Sequence, residues 1–108
     1  GLAPLADTPG NRFASDAALM DYAALGLYVL ASNVPAYRGS LADGPAGRLV
    51  ANRTEAWYAA ISGVIRDQAL RQAGYDRSRS AFLTLGTLAG QKARRRDALE
   101  RAVQAVDA

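Results

Sequence analysis

The segment from Ser15 to Asn33 constrains this chain more than any other. Its residues recur at helical spacing, with Leu19, Tyr22, Ala23, Gly26 and Leu30 on one stripe and Met20, Ala24, Leu27 and Ala31 on another. Apolar groups nevertheless cover nearly every side, and only Asp16 and Asp21 are charged. A helix that is hydrophobic all round must be buried on all sides. A chain of 108 residues has few other elements with which to surround it. Either this helix is central to a compact bundle, or its second face belongs to a partner.

The length suits one domain. Half of the residues are hydrophobic, but 24 of them are Ala, and only 25 are Leu, Ile, Val, Met, Phe or Trp. That is a lean core, because each large side chain contributes roughly 1.5–3 kcal/mol on full burial against about 1–2 kcal/mol of backbone entropy per ordered residue. Abundant Ala with scarce Ile and Thr favours helix throughout. The chain has no Cys and no His, which excludes disulfides, thiol nucleophiles, the usual zinc sites and imidazole acid–base catalysis. The net charge of +3 arises in the second half, where nine basic groups face six acidic ones, whereas residues 1–54 balance four Arg against four Asp. The longest clean apolar run, Tyr22 to Ala31, is too short to span a bilayer, so a soluble chain without a membrane span is expected, cytoplasmic or exported after processing.

Pro4, Pro9, Gly10 and Asn11 block regular structure at the start. Residues 1–14 therefore read as an extended N-terminal arm, pinned by Leu2, Leu5 and Phe13 or frayed, ahead of a single helical domain over 15–108. Ser15 suits an N-cap, and Ser32, Asn33 and Pro35 end the first helix. A loop follows, and Pro45 suits the first position of the next helix. Over 46–73, Val50, Thr54, Trp57, Ile61, Val64, Ile65 and Gln68 share one face, and Gly74 supplies a stop. A third helix runs over about 79–106, with Phe82, Leu85, Leu88, Ala89, Leu99, Val103 and Val106 on a shared side. Lys92 and Arg96 interrupt that stripe, so the helix bends near Gly90, runs past the core, or extends those stems to water. The expected fold is all-α: a hairpin of the second and third helices with the first packed across it.

The third helix also carries Lys92, Arg94, Arg95, Arg96 and Arg101, a basic cluster able to neutralise phosphates, interleaved with Asp97 and Glu100. Leu70-Arg71-Gln72-Ala73-Gly74-Tyr75-Asp76-Arg77-Ser78 resembles the turn of helix-turn-helix DNA-binding domains, with an Ala-Gly pair ending one helix and Ser and Arg opening the next. It departs from that pattern at Ser80, where the recognition helix wants a buried aliphatic residue. Gly86 and Gly90 have the spacing that lets helix backbones approach closely. No local pair of acid and base stands out among the carboxylates, and there is no glycine-rich phosphate loop. No catalytic, cofactor-binding or metal-binding residues are assigned. The expectation is a non-enzymatic interaction or assembly module, self-associating or docking on a larger protein through Leu25, Leu27 and Tyr28. Polyanion or nucleic-acid binding by the basic third helix, and an apolar ligand or lipid held between helices, are the alternatives.

Overall fold

A computed structural model describes residues 1–44 and 46–107, with residues 85, 86, 88, 90 and 107 given by their backbone only. The chain is a mixture of helix and parallel sheet, and the all-α expectation is wrong. Strand β1 (Leu2–Ala3) is followed by a 3-10 helix (Pro9–Phe13), α1 (Ala17–Ala24), β2 (Val29–Ser32), β3 (Gly47–Val50), α2 (Thr54–Arg66), α3 (Gln68–Ala81), a π-helical turn (Phe82–Gly86) and α4 (Leu88–Asp107). The strands form one parallel sheet in the order β1-β2-β3, with Leu2 opposite Leu30 and Val29 opposite Gly47.

The first expected helix is thus a short helix followed by a strand. It stops at Ala24 because Gly26 adopts φ +75°, and the amides of Gly26 and Leu27 bond back to the carbonyls of Ala23 and Tyr22. That is the Schellman arrangement, which glycine permits without a Cβ penalty. Beyond it, Val29 to Ser32 are buried without interruption. A parallel strand covered on both faces reads as a continuous apolar run, and an apolar run without polar alternation looks the same as a helix buried all round.

The second expected helix, 46–73, is divided three ways. Its first residues form β3, where Gly47 approaches β2 so closely that a Cβ would overlap the Val29 carbonyl oxygen. Its remainder breaks at Asp67, whose carboxylate accepts from the Leu70 amide at 2.9 Å and caps α3, while the Arg71 guanidinium donates to the Val64 and Ile65 carbonyls at the end of α2. Gly74 stops nothing. It is buried in the middle of α3, and a Cβ there would lie 2.9 Å from the Tyr28 ring. The helical hairpin and the helix-turn-helix turn therefore do not exist, because α3 is continuous from Gln68 to Ala81. The Pro45 helix start lies outside the described residues, as do the side chains of Leu85 and Leu88 and the surroundings of Gly86 and Gly90.

Both faces of the sheet are covered. Ala3, Val29 and Ala31 pack with Leu19 of α1 and with Val34, Tyr37 and Ala42 of the loop between β2 and β3, so this loop is part of the core. On the opposite face Leu30 and Val50 meet Ala60, Trp57, Ile61 and Val64 of α2. A third cluster joins Ala23, Leu41 and Ala46 to Met20, Ala81 and Phe82, bringing the end of α3 against the back of α1. At the carboxyl ends of the strands, buried Ser32 accepts from the Leu5 amide at 2.8 Å and donates to Asn52 Oδ1 at 2.6 Å, and Asn52 Nδ2 donates to the Leu5 carbonyl at 2.7 Å. One side-chain network ties the exits of all three strands.

Helix α4 does not fold back. It packs against the π-helical turn that precedes it, every side chain from Lys92 to Val106 is exposed, and the molecule is 55 Å along its longest axis. Of the three options for the interrupted stripe, this helix runs past the core. No described helix is long and apolar enough to cross a membrane.

Candidate interaction surface

The turn between α1 and β2 presents Leu25, 68% exposed, and Leu27, 41% exposed, on either side of Gly26. The Tyr75 ring of α3 lies directly over Gly26, where a Cβ would overlap it, and Tyr75 is itself half exposed. Leu25, Tyr75 and Leu27 thus form one apolar patch whose centre exists because residue 26 has no side chain. Tyr28 is not part of its open surface. Its ring packs against Gly74 and joins, partly buried, the cluster around Leu30, Val50 and Ala60.

The backbone beneath the patch is held from α3. Arg79 donates to the Ala24 carbonyl at 3.0 Å, a cation at the carboxyl end of α1 where the helix dipole favours it. Ser78 is fully buried, and its hydroxyl donates to the Leu27 carbonyl at 2.9 Å, with the Ala46 carbonyl at 3.4 Å. The patch is accordingly presented on a fixed support. Sequence periodicity missed Tyr75 because its role depends on Gly26, 49 positions earlier, and on α3 crossing that turn.

The basic residues of α4 line two grooves that share Arg95. Lys92, Arg95 and Arg96 line one with Ala89, Leu99 and Glu100, and Arg94, Arg95 and Arg101 line the other, with Gln91, Asp97 and Ala98. At 100° per residue Lys92 and Arg96 lie on a different side of the helix from Arg94 and Arg101. A further shallow groove of about 510 Å³ opens at the start of α2, lined by Asn52, Arg53, Thr54, Trp57 and Tyr58. Among the described residues no group of three or more carboxylates, His or Cys is placed to hold a metal ion. Comparison with protein-family models, with curated proteins and with solved structures finds no match to this chain.

Proposed function

We propose that this chain is a non-enzymatic interaction or assembly module, docking through Leu25, Leu27 and Tyr75 onto a second copy or a larger protein. The observation that carries the reading is an exposed apolar patch whose backbone is locked by Ser78 and Arg79. Singly exposed apolar residues are ordinary on protein surfaces, but a contiguous, rigid group costs little ordering entropy on binding and so favours association. Burying what these three residues still expose contributes roughly 3–6 kcal/mol. Association costs about 4–15 kcal/mol, so the patch anchors an interface that further contacts complete.

Absolute mass by light scattering over a concentration series tests the self-associating form. A multiple of 11.4 kDa that falls to a lower multiple in both Leu25→Asp and Leu27→Asp supports it. For a larger partner, a photo-crosslinker at position 27 should trap one protein that a crosslinker at position 7 does not. Assembly unchanged in both variants together with no adduct specific to position 27 refutes the reading.

A groove beside the sheet favours a second reading. It opens just past the end of β3, where Asn52 and Arg53 lead into the first turn of α2, and it is walled by Trp57 and Tyr58. A small anionic ligand fits that chemistry. Titration with pyrophosphate, followed by Trp57 fluorescence, should saturate, and Arg53→Ala should weaken it about tenfold. No change in emission removes this reading.

A further inference from the structure

We infer that α4 is a self-complementary pairing helix, binding antiparallel to α4 of a second copy of the chain. Ala89, Lys92, Arg96, Leu99, Val103 and Val106 alternate three and four positions apart, the spacing that keeps one seam facing a partner helix. The seam is open: Leu99, Val103 and Val106 are 69%, 60% and 84% exposed. Twenty residues make a rod about 30 Å long.

The distribution of charge along the seam selects the partner and the direction. Its first half is basic, with Lys92 and Arg96, and its second half is aliphatic, with Leu99, Val103 and Val106 flanked by Glu100. Parallel pairing would set Lys92 against Lys92 and Arg96 against Arg96, which opposes like charges across a closed seam. Antiparallel pairing centred between Arg96 and Leu99 reverses this. Lys92 then meets Val103, Arg96 meets Leu99 and Ala89 meets Val106. The aliphatic stems cover Val103 and Leu99, and each Arg96 guanidinium comes beside Glu100 of the second copy. A polyanion or an anionic membrane would gain from the basic half alone and would be repelled by Glu100, whereas a second copy uses both halves.

The chain contains no cysteine, so single substitutions report direction without background. Lys92→Cys and Val103→Cys, each in the otherwise intact chain, are oxidised separately and as a mixture. The expected result is a mixed disulfide in the mixture and none in Val103→Cys alone. A Val103→Cys homodimer refutes the antiparallel arrangement, and the absence of any cross-link together with a monomeric mass refutes pairing altogether. Val103→Asp, at an exposed position that leaves the folded core untouched, should raise the dimer dissociation constant at least about tenfold. Circular dichroism of that variant at high concentration checks that helix is retained. Leu27→Asp should leave the mixed disulfide unchanged, so failure of the α4 pairing and failure of the Leu25–Leu27–Tyr75 docking surface give different results. Cross-linking lost in Leu27→Asp would overturn the assignment to α4.

Discussion

Exchanging Gly74 for Ala tests how α3 is seated on the sheet. In a helix interior the exchange gains about 1 kcal/mol, because Gly loses more backbone freedom on folding and is the poorer helix former. At Gly63 in α2, where an added Cβ meets nothing within 4 Å, that gain is expected in full. At Gly74 the added Cβ falls 2.9 Å from Tyr28 Cδ2 and 3.0 Å from Tyr28 Cβ. The ring atom can swing aside, but the Cβ is fixed to backbone that leads straight into β2, so relief requires α3 to move away from the sheet. Overpacking of this kind costs about 1–3 kcal/mol. Gly74→Ala should therefore range from neutral to about 2 kcal/mol destabilised, lying about 1–3 kcal/mol below Gly63→Ala. Urea denaturation measures the difference directly, and in a thermal scan about 1 kcal/mol corresponds to a shift of roughly 4–8 °C for a domain near this size. Repeating the exchange in a Tyr28→Ala background should recover part of the loss, since the ring contact is gone while the Cβ contact remains. If Gly74→Ala stabilises the chain as much as Gly63→Ala does, α3 does not press on Tyr28 and the placement of Tyr75 over Gly26 falls with it.

Other perturbations follow from the same contacts. Ser78→Ala removes the hydroxyl bonded to the Leu27 carbonyl and should cost about 1–3 kcal/mol, with faster amide exchange over residues 25–27; unchanged stability and exchange would mean that the turn is held otherwise. Asn52→Leu breaks the link between Ser32 and Leu5 and removes the acceptor of the Trp57 indole N–H, so a loss of about 1–3 kcal/mol should accompany a shift in Trp57 emission, and neither appearing would refute the network. Gly26→Ala forces a side chain into the left-handed region at about 1–2 kcal/mol and displaces Tyr75, which loss of the nuclear Overhauser contact between residues 26 and 75 would register; a retained contact at full stability contradicts the turn geometry.

Several elements were legible in the residues themselves. Trp57, Ile61 and Val64 recur at helical spacing, and that is the face α2 turns to the sheet. The interruption of the last helix by Lys92 and Arg96 was equally plain, and α4 indeed runs clear of the core. Tyr28 and Tyr75 were not legible in the same way. Tyr28 lies in an apolar run and Tyr75 among polar residues, and what each ring packs on is decided only because α3 crosses the α1–β2 turn at Gly74 and Gly26.

By itself the sequence determined local quantities: where charge interrupts an apolar face, and which residue types for chemistry are missing. Tertiary structure alone decided that Val29 to Ser32 is a strand. An apolar stretch buried on every side carries no polar alternation to reveal its period, so its backbone hydrogen bonds settle the matter. Those bonds run to β1 and β3, strands of two and four residues that form a ladder only when all three strands are brought together.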